Sequence, residues 1–263
     1  MVLHIVTVAT DSKFYFPYLK QTCLKEGVNI TVLGFGETWG GYSWKFKKMV
    51  EFLASIPSDD IVCFVDGYDV VCVRNLQQLP AAFMKIKERE KCKIIVAKDG
   101  MMYFGAFKFV TDVYFGTCKN MPINSGTYIG LAGDLVDILK DAQQQNPNET
   151  DDQKMITQYC NLNENLFYID SKHDLFYASI NSFREVSIPA GINPFFVHAV
   201  GCGLLTNILE SKGYYVDPGI KYELTKYFIK KAVGHVLTLC KRYILQIICI
   251  ILMIILIIKL LYK

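Results

Sequence analysis

Along residues 1 to 220, short runs of apolar, mostly β-branched residues alternate with stretches in which apolar positions recur every three or four residues. The first pattern predicts strands and the second helices. Leu3–Ala9 reads as a strand, Phe14–Glu26 as a helix and Asn29–Leu33 as a second strand. A glycine-rich loop, "GFGETWGG" (34–41), then leads to a helix over Lys45–Ser55. Ile61–Val65 is a third strand, set off by Pro57, Ser58, Asp59 and Asp60; Leu76–Glu90 reads as a helix and Lys93–Ala97 as a fourth strand. Farther on, "INSGTYIGLA" (123–132) predicts a strand with a turn at Asn124-Ser125-Gly126, followed by a helix over Gly133–Gln144. The stretch "NPNETDDQKMITQYC" opens as a loop and becomes a helix, with Asp151, Asp152 and Gln153 at its first turn; Phe195–His198 is a short late strand ending in histidine. Strands alternating with helices imply βαβ units, hence an α/β fold with a mostly parallel sheet and helices on both faces.

The pattern changes at the end of the chain. Ile244–Ile258, "ILQIICIILMIILII", is a 15-residue apolar run with Gln246 as its one polar member. With its flanks it covers residues 243–262, and about 20 residues suffice to cross a bilayer. The alternative is a buried core helix; no polar face interrupts the run, which argues for lipid. Lys226, Lys230, Lys231, Lys241 and Arg242 precede it, and only Lys259 and Lys263 lie at or beyond its end. The positive-inside rule then keeps the larger part of the chain in the cytoplasm. The expected organisation is a domain over 1–220, a basic amphipathic linker helix over 221–242, lying on the membrane face or docked on the core, and a single-pass transmembrane anchor over 243–262.

Composition narrows the class. Apolar residues make up 52% of the chain and charged ones 20%, enough for a sizeable core and too apolar for a disordered chain. A net charge of +3 does not point to nucleic acid. Nine cysteines are scattered without C-x-x-C spacing, so a zinc or thioredoxin-like motif is disfavoured. They read as buried free thiols, which suits a reducing compartment. No G-x-G-x-x-G follows the first strand and no G-x-x-x-x-G-K-[ST] occurs, so a classical dinucleotide site and a P-loop are disfavoured too.

Open α/β sheets bind ligands beyond the carboxyl ends of their strands. That edge carries Thr10 and Asp11, the glycine loop, and "FVDGYDVVC" (64–72), in which Asp66 and Asp69 interrupt an apolar run. The two acids have an ordinary explanation as solvated turn residues. They also have a chemical one: paired carboxylates grip a hard divalent ion whose shell is completed by phosphate oxygens. Spacing alone leaves both open.

Taken together, "VTVAT" (6–10), "GFGETWGG" (34–41), "FVDGYDV" (64–70), "INSGTYIG" (123–130), "DDQ" (151–153) and "VH" with its following glycine-rich turn (197–203) resemble the glycosyltransferase domain of the procollagen lysyl hydroxylases, in the same order and at similar spacing. The resemblance is to the glycosyltransferase part of those longer enzymes and does not extend to their hydroxylase part. The resemblance implies a GT-A-like, Rossmann-like fold that binds a UDP-sugar donor through Mn²⁺, with Mg²⁺ as the alternative ion. It implies Asp66, Asp69 and His198 as metal ligands. It implies that Tyr68 and Trp39 contact the nucleotide, that Val8 and Thr10 line the uridine pocket, and that Lys45 faces the donor. Asn124 and Ser125 would lie at the sugar, and Asp151 and Asp152 would face sugar or acceptor. Transfer of glucose or galactose to a protein or glycan acceptor, such as hydroxylysine-linked galactose, with retention of configuration, is the implied activity.

The chain also departs from the family. "HAVGCGLL" (198–205) stands where the family has His-Gly-Asn-Gly followed by proline and lysine, and "DGMMYFGAFKF" (99–109) lacks a tryptophan-rich gate. Two other readings therefore stand beside the first. One is an inactive glycosyltransferase fold kept as a membrane-anchored binding or assembly module. The other is a phosphohydrolase or nucleotidyltransferase using the same acids.

Overall fold

The protein is described here from a computed structural model covering residues 1–100, 115–180, 183–201, 203–227, 229–230 and 233. The tail over 243–262, most of the linker over 221–242 and the segment 101–109 lie outside the described residues. Among the described residues no helix is long and apolar enough to cross a membrane. Residues 1–217 form one compact unit, and 218–263 a second. In the second, 219–227 are helical.

In the first unit the strands are β1 (Leu3–Val8), β2 (Thr31–Leu33), β3 (Ile61–Val65), β4 (Val70–Cys72), β5 (Ile94–Lys98), β6 (Ile123–Leu131), β7 (Phe167–Asp170), β8 (Phe176–Ile180) and β9 (Phe196–Val200). The helices are α1 (Phe16–Lys25), α2 (Tyr42–Leu53), α3 (Leu79–Glu90), α4 (Ala132–Gln145), α5 (Asp152–Leu162) and α6 (Thr206–Ser211). Six strands form the main sheet in the order β2-β1-β3-β6-β5-β7, and β4-β9-β8 form a small second sheet. In the main sheet β1 pairs parallel with β2 and β3, and β5 with β7. β6 runs against both of its neighbours. The sheet is thus largely parallel, with one reversed strand in the middle.

β3 shows why the central strands read as unbroken apolar runs. All five of its residues are buried, and successive side chains point to opposite faces. Val62 and Phe64 enter the core under α2, α4 and α5, with Phe46, Met49, Leu139 and Met155. Ile61, Cys63 and Val65 enter the core under α1 and α3, with Leu19 and Phe83. Phe64 is fully buried and stacks on Tyr128 with ring centroids 4.9 Å apart. Truncating such a ring to alanine costs about 3–5 kcal/mol.

Several expectations need correction. Asn124-Ser125-Gly126 is not a turn but part of the continuous strand β6, which takes up its local irregularity as a register shift opposite Val96 and Ala97 of β5. His198 does not end its strand, since β9 runs on to Val200. The helix expected from Leu76 begins as a short 3₁₀ turn over Leu76–Gln78 and becomes α-helical at Leu79, with Pro80 in its first turn. Strands β4, β7 and β8 were not anticipated; each is only three to five residues long. Cys118 and Cys160 form a disulfide, with Cα atoms 5.7 Å apart, and so are not free thiols. Cys23, Cys63, Cys72 and Cys92 are free and buried, as the apolar reading requires. The disulfide ties the loop before β6 to α5 and removes part of the argument for a reducing compartment.

Candidate metal and nucleotide-sugar site

The two acids sit where the chain leaves one sheet for the other. β3 ends the main-sheet path at Val65, and β4 begins the small sheet at Val70. Asp66-Gly67-Tyr68-Asp69 is the link, so the apolar residues on either side belong to different sheets. Asp66 N–H donates to the Gly126 carbonyl (2.7 Å), and the Asp69 carbonyl accepts from Ala199 N–H (2.8 Å). These bonds fix the link against β6 and β9.

The antiparallel pairing of β4 with β9 sets Val70 opposite His198. His198 is 3% exposed, and its Nε2 lies 3.2 Å from Asp69 Oδ1. Burial alone would lower the imidazole pKa; Asp69, with Asp66 and Asp99, outweighs burial and raises it. Ligand atoms of Asp66, Asp69 and His198 all lie within 4.8 Å of one another. His198 Nδ1 is buried without a hydrogen-bond partner. Two carboxylates and an imidazole form a donor set suited to Mn²⁺ or Mg²⁺, and the orphaned ring nitrogen is the kind of atom a cation satisfies. The residues present therefore fit a divalent ion. Gly126 completes the cradle: a Cβ there would collide with Asp66 Oδ2 and His198 Cε1, and would come within 2.9 Å of Asn124 Oδ1.

Lys45 projects from the first turn of α2 into the protein and is 4% exposed. Its Nζ lies 3.1 Å from Asp66 Oδ1 and 2.5 Å from Asp152 Oδ2, and 5.0 Å from the centroid of Phe64. Burial alone would lower its pKa; the carboxylates of Asp152 and Asp66 overcome that and hold it well above the usual lysine value. The Tyr128 hydroxyl is buried without a hydrogen-bond partner and feels the same three charges. Burial raises that phenol's pKa, so it stays protonated. Lys45 is thus a buried bridge between the acids of the β3–β4 link and of α5, which the sequence did not reveal.

The adjacent acids of α5 divide their work. Asp151 is the N-cap, its Oδ1 accepting from Lys154 N–H at 3.0 Å, and burial raises its pKa. Asp152 turns inward, 5% exposed, to meet Lys45. Asn124 and Ser125 are 4% and 5% exposed, and the Asn124 side chain accepts from Gly126 N–H at 2.9 Å.

At the carboxyl end of β1, the Tyr68 hydroxyl accepts from the backbone N–H of Thr10 (3.0 Å) and of Asp11 (3.3 Å). Trp39 is 43% exposed and edge-on to Tyr42 and Trp44, with centroids 5.7 and 5.4 Å away. Gly40 permits this packing, because a Cβ there would lie 2.6 Å from Trp44. Val8 packs its side chain into the core. The metal-facing, lysine and α5 residues therefore converge, while Trp39, Tyr68 and Thr10 belong to the neighbouring edge formed by the ends of β1 and β2.

One site residue was missed. Asp99 directly follows β5, is 3% exposed, and burial raises its pKa to about 6 against the opposing influence of His198, Gln153 and Asn124. Its signal was an acid just past the carboxyl end of an apolar strand, the same signature that drew notice to Asp66.

A family model described as the PLOD GT domain matches residues 1–199. Among solved structures, the chain is similar to one titled as the crystal structure of a glycosyltransferase involved in the glycosylation of the major capsid of PBCV-1. The TM-score is 0.52 at 13% identity, covering 88% of this chain and 100% of that one. At that identity the likeness speaks for the fold. No curated protein matches the chain.

Proposed function

The chain belongs to the PLOD GT-domain family, and from that premise we propose that it transfers a hexose, glucose or galactose, from a UDP-sugar to a protein or glycan acceptor. A hydroxylysine-linked sugar of the collagen type is the proposed acceptor class. The observation that carries the metal-dependent form of this reading is the convergence of Asp66, Asp69 and His198, with an imidazole nitrogen left unpaired. A divalent ion held there, Mn²⁺ or Mg²⁺, would supply positive charge to the diphosphate as it departs. The exposed Trp39 offers an aromatic face to the uracil, and the Tyr68 hydroxyl braces the Thr10 and Asp11 backbone beside it. Asn124 and Ser125 present polar atoms toward the sugar. Lys45 bridges Asp66 and Asp152 and holds the two carboxyl groups in place beside the proposed position of the sugar, which becomes oxocarbenium-like as its bond to the diphosphate breaks.

The deciding experiment is a nucleotide-sugar panel with released UDP as the readout, with and without Mn²⁺. Mn²⁺-dependent turnover of UDP-glucose or UDP-galactose is expected. A folded protein that turns over no nucleotide sugar would count against the reading. Turnover of UTP, which carries no hexose to transfer, in preference to UDP-glucose would favour a phosphohydrolase or nucleotidyltransferase instead.

A specific observation favours the inactive alternative. Lys45 is already paired with two carboxylates, and "HAVGCG" brings no further basic residue to the diphosphate. That alternative predicts weak or absent UDP binding by calorimetry in Mn²⁺, despite a folded domain. We further propose that 243–262 tether the protein to a membrane, on the strength of their composition. Alkaline carbonate extraction tests the tether, and protease protection of residues 1–220 tests their cytoplasmic placement.

A further inference from the structure

Asp99 has a chemistry that the metal site does not use. Its backbone N–H donates to the Pro122 carbonyl (3.0 Å), at the start of the strand that carries Asn124. Next to it, Gly100 has no room for a side chain, because a Cβ would strike the Ala178 carbonyl. Ala178 is the residue of β8 that pairs with His198. Backbone on both sides therefore locks the carboxyl group beside Asn124, Gln153 and His198. Oδ2 accepts a long hydrogen bond from Gln153 Nε2 at 3.5 Å; Oδ1 is buried with no partner at hydrogen-bond geometry, although the Asn124 side chain and the Gly100 N–H come near enough to the carboxyl group to lower its pKa.

A buried carboxylate oxygen without a donor is costly and uncommon. The missing ligand must bring hydrogen-bond donors. A phosphate is excluded, since it would set negative charge against negative charge. A second cation is disfavoured, because the amide of Gln153 already occupies the other oxygen. A hydroxyl-bearing ligand remains, and a hexose presents several hydroxyls at the spacing a carboxylate accepts.

Resting on the glycosyltransferase reading above, we propose that Asp99 is a specificity residue of the donor-sugar pocket: its Oδ1 accepts a hydrogen bond from one hydroxyl of the transferred hexose. Its carboxyl group neighbours both Asn124, which the resemblance puts at the sugar, and the metal-facing His198. Asp99 thereby positions the ring for transfer and discriminates hexoses by the configuration at that carbon.

The test uses the full chain, its Asp99→Asn and Asp99→Ala variants, and UDP-hexoses lacking one hydroxyl at a time. Wild-type protein should lose roughly 10–100-fold in kcat/KM with one of the deoxy donors, the range for a hydrogen bond to a charged group. With Asp99→Asn, kcat/KM for the full sugar should fall by a similar factor, and the penalty for that same deoxy donor should shrink to about 3-fold or less, as expected when both members of a coupled pair are removed. Affinity for UDP with Mn²⁺ should stay within about 2-fold, because the proposed contact is to the sugar, which UDP lacks, and independent contacts do not couple. Equal losses for every donor, or a parallel loss of UDP affinity, would overturn the assignment and make Asp99 a structural support. Wild-type turnover of UDP-sugars with no deoxy donor penalised in an Asp99-dependent way would overturn it while leaving the glycosyltransferase reading intact. Absence of UDP binding by wild-type protein would overturn both. Asp99→Asn, which keeps the shape of the side chain, guards against the case in which Asp99→Ala fails to fold.

Discussion

Lys45→Met should be the most costly single change near the site that leaves the metal ligands in place. The wild-type ammonium is buried between Asp66 Oδ1 at 3.1 Å and Asp152 Oδ2 at 2.5 Å. At an effective dielectric of about 20, each pair contributes a gross attraction of about 5–7 kcal/mol, most of which offsets the desolvation of the three charges. Removing the cation alone leaves two carboxylates facing each other without compensation, and breaking a buried pair in this way costs about 3–5 kcal/mol. Urea unfolding is a convenient assay, because both tryptophans, Trp39 and Trp44, sit in or just before α2 and should report its detachment. The double variant Lys45→Met with Asp152→Leu should recover at least about 2 kcal/mol of the single-variant loss, since neighbouring groups are not additive. The pH dependence has a definite sign. Lys45 has a folded-state pKa raised above its usual 10.5, so its contribution is complete below that pH and is lost only as pH rises beyond it. Wild-type protein should therefore lose stability on the alkaline side more steeply than Lys45→Met does. A loss below about 1 kcal/mol for Lys45→Met, the level of an exposed ion pair, would refute the reasoning. So would strict additivity in the double variant.

Three other expectations follow from the geometry. Gly126→Ala places a methyl against Asp66 and His198, so Mn²⁺-dependent UDP binding should drop by at least about 10-fold, as for a loss of metal-supporting contacts, while circular dichroism stays native; unchanged binding would show that the cradle is not needed. Replacing Cys118 and Cys160 by serine opens a loop of sequence separation 42 and should lower stability by about 2–4 kcal/mol on chain-entropy grounds, with dithiothreitol reproducing the loss in wild-type protein; insensitivity to reductant would argue that the two thiols are unpaired. For Asp99, the folded-state pKa of about 6 exceeds the usual 3.8, so burial of its charge withdraws up to about 3 kcal/mol as pH rises through that interval. In metal-free protein, Asp99→Asn should therefore be more stable than wild type at pH 7.5 and little different at pH 4, and thermal melts at the two pH values check this.

The sequence by itself determined the class of fold and most of its elements. Strands buried on both faces, such as Ile61–Val65, must be apolar throughout, and α2 and α4 must carry an apolar stripe to cover them, so periodicity alone exposes these segments. Proline and glycine mark where they start and stop. The order of the quoted motifs was enough to point to the family that the match over residues 1–199 then established. Short elements escaped, because three to five residues of β4, β7 and β8 carry too little pattern and owe their strand form to partners far along the chain. Asn124-Ser125-Gly126 looked like a turn because those residue types favour turns; pairing with β3 and β5 on either side overrode that preference.

Only the tertiary structure decided which polar residues act together. Asp66 and His198 are more than a hundred positions apart, and they meet because β4 pairs with β9. Asp151 and Asp152 are identical in type and adjacent, yet one caps a helix and the other enters the core, since consecutive residues at a helix start point in different directions. Asp99 became a site residue, and the donor-facing Lys45 a bridge between two acids, through burial, which no local pattern records. A chain's periodicity reports what each segment buries; which charges share a cavity follows from how the sheets are ordered, and that is set by long-range pairing.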